Sequence, residues 1–109
     1  MNQSCNVDHG GCPEDQVSEA QLQEELKTVP EWRMVEGEPR KIRREFKFDN
    51  YLLALNFTNK VAAVAENLNH HPDILLKWGS VTVDYWTHNA GGISTADFHA
   101  ARLIDEITK

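Results

Sequence analysis

The chain has 109 residues, 40% apolar and 26% charged, which fits one globular domain with a modest core. Its net charge of -6 argues against nucleic acid or an anionic membrane as the main partner, since those call for clustered Lys and Arg. No apolar run is long enough to span a bilayer, and no basic stretch precedes an apolar core at the N-terminus as a secretory signal requires.

Residues 1–16 show no apolar periodicity and are expected to form a flexible tail, with residues 17–109 as a single domain. Cys5, His9 and Cys12 offer three metal ligands, but their spacing is no standard zinc pattern and no fourth ligand is evident. Two cysteines without a secretory signal point to a reducing, cytoplasmic setting.

Order begins at Ser18. Ser18 with Gln21 fits a capping box, and Val17 with Leu22 fits a hydrophobic staple. Leu22, Leu26 and Val29 give a short amphipathic helix that Pro30 ends. Trp32–Val35 reads as a strand, and residues 36–39, Glu-Gly-Glu-Pro, as a turn. Ile42, Arg44, Phe46 and Phe48 then alternate with Arg43, Glu45 and Lys47, the period of a strand with an aromatic inner face. The basic run around Arg40–Arg44 is read mostly as the wet face of that strand. Asp49 is the expected cap of a long helix, whose stripe is Leu53, Phe57, Val61, Val64 and Leu68. Pro72 ends it. Ile74–Trp78 and Val81–His88 read as two more strands, and residues 89–92, Asn-Ala-Gly-Gly, as a turn. Ser94 with Asp97 resembles a capping box opening a last helix to about Ile107. Along that helix Ala96, Ala100, Leu103 and Ile107 form one stripe, and Phe98 lies nearly opposite. A helix apolar on two sides predicts a homo-oligomer, at least a dimer.

The order α-β-β-α-β-β-α predicts an α+β fold. It has two layers, a four-stranded antiparallel sheet with three helices packed on one face.

The stretch from Glu66 to Asp73, Glu-Asn-Leu-Asn-His-His-Pro-Asp, is the candidate chemistry. Glu66 and His70 are four apart and share a helix face, with Asn69 beside them. Pro72 pushes His71 out of the helical region, so the two rings diverge while staying close. Imidazole suits proton transfer near neutral pH, and Glu66 is placed to favour the charged form of His70. Polar groups also decorate helix ends without any function. A metal site built from Glu66, His70 and His88 is a second reading. His88 alone at a strand end is ordinarily a surface residue, and capping alone explains Asp97. Trp32, Trp78 and Trp86 would line a ring-binding cavity or serve as core.

From about Val17 to Ile107 the chain resembles the pterin-4a-carbinolamine dehydratases, of bacterial type. The family pattern is a Glu followed by His-His-Pro, an aromatic, a strand ending in Thr-His, a Gly-containing turn and a helix with an Asp in its first turn. Glu66, His70, His71, Pro72, Trp78, Thr87, His88, Gly91, Gly92 and Asp97 match it. Trp32 and Glu36-Gly37 match the family's first hairpin. The animal enzymes carry Asp where this chain has Asn69, so a charge-based role there does not carry over.

The resemblance implies loss of water from a 4a-hydroxy-tetrahydropterin to give the quinonoid dihydropterin, without metal or other cofactor. It implies acid and base roles among His70, His71 and His88, and pterin contacts from Glu66, Asn69, Thr87 and Asp97. It implies recycling of the cofactor of an aromatic amino acid hydroxylase by a homodimer or homotetramer. Animal relatives also stabilise a transcription-factor dimer, so a regulatory protein-binding module is the rival reading.

Overall fold

The computed structural model describes residues 17–108. The expectations for the Cys5, His9 and Cys12 segment lie outside the described residues. The elements are α1 (Glu19–Leu26), β1 (Arg33–Val35), β2 (Lys41–Lys47), α2 (Tyr51–Leu68), β3 (Asp73–Lys77), β4 (Ser80–Tyr85) and α3 (Thr95–Ile107). The sheet is antiparallel, in the order β1-β2-β4-β3. The α+β fold and the element order are as the sequence predicts.

Register decides which side chains meet the helices. Ile42 pairs with Tyr85, Arg44 with Val83 and Phe46 with Val81. The apolar and aromatic members of these pairs are buried and belong to one cluster with Leu22, Trp32, Phe57, Phe98 and Ile104. The alternate row, with Arg43 opposite Asp84 and Asp84 opposite Asp73, forms the other face. The basic run is not simply wet. Arg43 donates both Nε and Nη2 to Asp84, at 2.6 and 2.8 Å, and Arg44 reaches Asp105 on α3 at 2.7 Å. The Asp84 partnership raises the Arg43 guanidinium further above its ordinary value.

Three local expectations are corrected. Asn50, not Asp49, caps α2, its side chain accepting from the Leu53 amide at 2.9 Å. The buried stripe of α2 is Ala54, Phe57, Val61 and Ala65, with Leu53 exposed and Val64 and Leu68 only partly buried. Two alanines on the buried line let the helix backbone approach its neighbours. β4 ends at Tyr85 rather than His88. The chain then closes a turn through a Thr87–Gly92 bridge, with Gly91 at φ +72, a backbone region glycine enters without strain. On α3 the buried residues include Phe98, Ala100, Ala101 and Ile104. Phe98 is therefore core, and Ala96, Leu103 and Ile107 on the other stripe are only partly buried.

Candidate active site

The site forms where the end of α2, the end of β4 and the start of α3 converge. Asn69 ends α2 in the left-handed conformation, φ 55 and ψ 40. The Asn69 amide bonds the Glu66 carbonyl and the His70 amide bonds the Ala65 carbonyl. This paired closure is a Schellman turn, and it satisfies carbonyls that would otherwise be orphaned. It also takes His70 off the helix.

The expected Glu66–His70 pairing is thereby overturned. His70 Nε2 lies 2.6 Å from Asp97 Oδ1, and Glu66 Oε2 lies 2.6 Å from His71 Nε2. The left-handed residue breaks the helical spacing that would have aligned Glu66 with His70. The Glu66–His71 pair is open to solvent, whereas His70 is 4% exposed and Asp97 fully buried.

Asp97 is a cap and more. Its Oδ2 accepts from the Ser94 amide at 2.8 Å and from the Thr87 hydroxyl at 2.9 Å. Thr87 thus spends its proton on Asp97. The Thr87–Ser94 hydroxyl contact at 2.7 Å must then be donated by Ser94, whose oxygen accepts from the Ala96 amide. Every member of this buried network has a partner, as a low-dielectric site demands. His70 is also held from below. The Tyr85 ring lies 4.9 Å from its ring, and the Tyr85 hydroxyl donates to the His70 carbonyl at 2.9 Å. Burial, and secondarily the charge of Asp97, pushes the Tyr85 phenol well above its ordinary value.

His70, His71, Trp86 and His88 line a cavity of about 380 Å³. The structure thus brings the three expected histidines to one cavity. Asn69 and Glu66 are exposed beside it. Thr87 and Asp97 do not line it. Both are fully buried, and the backbone N–H and C=O of Thr87 are engaged within the 87–92 turn. Trp32 is core and bonds Asp105 at 2.8 Å, while Trp78 is 67% exposed. Among the described residues no three His, Cys, Asp or Glu side chains converge as a metal-ligand set. Of the trio Glu66, His70 and His88, Glu66 is engaged with His71 and His70 with Asp97. Sequence reasoning misses Tyr85 and Ser94 as supports, and does not single out Trp86 as the cavity wall. Trp86 and His88 alternate along one strand path, which is the signal the sequence offers.

The family model for pterin 4 alpha carbinolamine dehydratase matches residues 15–107. The chain belongs to the pterin-4a-carbinolamine dehydratase family. A protein of Marinobacter nauticus, provisionally named pterin-4-alpha-carbinolamine dehydratase, is 46% identical over 96% of this chain and 94% of its own. A Hahella chejuensis protein with the same provisional name is 43% identical over 85% and 84%. Among solved structures, a transcriptional coactivator/pterin dehydratase from Brucella melitensis superposes with a TM-score of 0.79 at 31% identity. That match covers 86% of this chain and 99% of the other. A pterin dehydratase-like protein described as a RuBisCO assembly factor in the alpha-carboxysome superposes at 0.58 with 25% identity, over 70% and 87%. The dehydratases of this family are hydro-lyases, and the fold found here is theirs. No helix among the described residues is long and apolar enough to cross a membrane.

Proposed function

We propose that this cavity dehydrates a 4a-hydroxy-tetrahydropterin to the quinonoid dihydropterin by histidine acid–base chemistry. The observation that carries the reading is the convergence of His70, His71 and His88 on one cavity with an aromatic wall. In the reaction a proton is delivered to the 4a-hydroxyl, the C4a–O bond breaks and water leaves. The N5–H electrons form the C4a=N5 bond and the N5 proton passes to a base. No electron is gained or lost, so one donor and one acceptor near the two atoms suffice.

His71 and His88 are exposed enough to exchange protons with water, which suits them to deliver one proton and carry away the other. Glu66 orients His71 through the 2.6 Å contact. His70, fixed by Asp97, is the rigid member against which the heterocycle is set. Thr87 and Asp97 serve the pterin through His70, and Asn69 through the turn that aims both histidines. The expected product flow is recycling of the tetrahydropterin of an aromatic amino acid hydroxylase, in the cytoplasm.

The protein works as a homodimer or homotetramer in this reading. Tyr51, Leu52 and Leu53, consecutive and exposed on the first turn of α2, support association, as does the partly buried Leu103 of α3. Light scattering returning only the 12.4 kDa monomer at micromolar concentration would sink that part.

A second reading, a protein-binding module, is favoured by the names of the two solved relatives, a coactivator and an assembly factor. Stopped-flow mixing with freshly generated 4a-hydroxy-tetrahydropterin separates the two. The enzyme accelerates loss of the carbinolamine absorbance, and a module without activity leaves the spontaneous rate.

A further inference from the structure

We propose that Trp86 is the stacking wall of the pterin site and that Lys41 is the positioning residue that sets its plane. This rests on the pterin reading above. Trp86 is half-buried and is the largest aromatic surface bordering the histidine cavity. Its ring centroid lies 5.0 Å from that of His88, with 44° between the planes. Lys41 comes from the neighbouring strand: Ile42 pairs with Tyr85, so the residue before the one flanks the residue after the other. Lys41 Nζ sits 4.8 Å from the Trp86 ring centroid, inside the range in which a cation is held by an aromatic face.

The cation is itself anchored. Lys41 Nζ lies 3.9 Å from Asp84, whose carboxylate is gripped by both Nε and Nη2 of Arg43. Asp84 is thus already paired, and Lys41 is a second cation beside it, able to direct its charge at the indole. Lys41 and His88 both lie against the Trp86 ring, which limits how far it can swing.

A pterin is a flat bicyclic heterocycle, and such rings gain affinity by stacking on an aromatic side chain. The three imidazoles supply polar atoms, and none supplies an apolar plane of indole size. Lys41 does not border the cavity, so it acts through Trp86.

The test uses biopterin, a stable pterin that does not react, titrated by calorimetry against the full chain. Trp86→Ala is expected to weaken binding about fivefold to a hundredfold, the range for losing one stacked ring. Trp86→Phe keeps an aromatic plane and stays within about threefold of the parent. Lys41→Met, which keeps the stem and drops the charge, weakens binding about twofold to fivefold, and Lys41→Arg restores it. With the carbinolamine, Lys41→Met raises KM while kcat stays within about twofold, the mark of lost uniform binding. Unchanged biopterin affinity in folded Trp86→Ala overturns the wall, and equal affinity of the Met and Arg variants overturns the role of Lys41. Biopterin binding is measured whether or not the parent turns over a carbinolamine, so failure of the reaction reading is seen separately.

Discussion

His70 and Asp97, 27 residues apart in the chain, meet through a 2.6 Å contact between Nε2 and Oδ1. The carboxylate that caps α3 is the same group that fixes the ring at the end of α2. One side chain thus ties the start of a helix to the wall of the cavity, so stability and the proposed chemistry are expected to be coupled at this point.

Replacing Asp97 tests that coupling. Asp97→Ala strands the Ser94 amide, the Thr87 hydroxyl and His70 Nε2 in a dry environment, and should cost about 3–5 kcal/mol in urea unfolding. Asp97→Asn keeps the size but turns one of the two acceptor oxygens into an NH2 donor. Turnover should then fall about 10²-fold as His70 loses its fixed orientation. A variant that keeps the parent rate would reduce Asp97 to a helix cap.

Thr87→Val is a narrower probe. It keeps the shape, removes one donor to Asp97 and leaves the Ser94 hydroxyl without its acceptor. The expected loss is about 1–3 kcal/mol by chemical denaturation, the cost of unpaired buried polar groups. No loss would mean that the hydroxyl chain carries no net stability.

Asn69 supplies the left-handed residue of the Schellman turn. Asn69→Ala should destabilise the fold by up to about 1 kcal/mol, because Ala keeps the Cβ that crowds the left-handed backbone and lacks the local side-chain hydrogen bonding that lets Asn enter it. Asn69→Gly should not destabilise it. Equal stability of the Ala and Gly variants would contradict the backbone argument.

Tyr85 is expected to contribute to the alkaline limit of stability. Its phenol is raised in the folded state, so the unfolded chain releases a proton at a pH where the folded chain retains it. The unfolded state then binds fewer protons, and stability falls as pH rises. This contribution is intact below the unfolded phenol value of about 10 and is lost progressively above it, by up to about 1.4 kcal/mol per pH unit. Urea midpoints measured upward from pH ~10 should fall more steeply in the parent than in Tyr85→Phe. Parallel curves would contradict the assignment.

Periodicity makes most of the fold legible. The period-two pattern of β2, the helical period of α2 and the Ser94–Asp97 spacing each survive in the structure, because each is a local property. The errors have local causes too. The α2 stripe is misplaced because Ala54 and Ala65 are buried where a reading by large apolar residues passes over them. Which of the two apolar sides of α3 faces the core is not legible, because the packing partners of α3 are remote in sequence. The Glu66–His70 pairing fails because helical spacing does not continue past a left-handed Asn. The His70–Asp97 contact and the Lys41–Trp86 contact depend on which strands and helices lie side by side, and no spacing in the chain states that.

The proposed function gives His71 and His88 the protons of dehydration, at a cavity where His70 is held by Asp97. Stopped-flow decay of freshly made 4a-hydroxy-tetrahydropterin, with parent, His71→Ala and His88→Ala shown to be folded by circular dichroism, tests it most directly. Neither side chain is part of the core, so folding should survive. The expected result is that each replacement slows turnover by about 10²- to 10⁴-fold, the range for losing a general acid or base. Folded variants that dehydrate the carbinolamine as fast as the parent would contradict it.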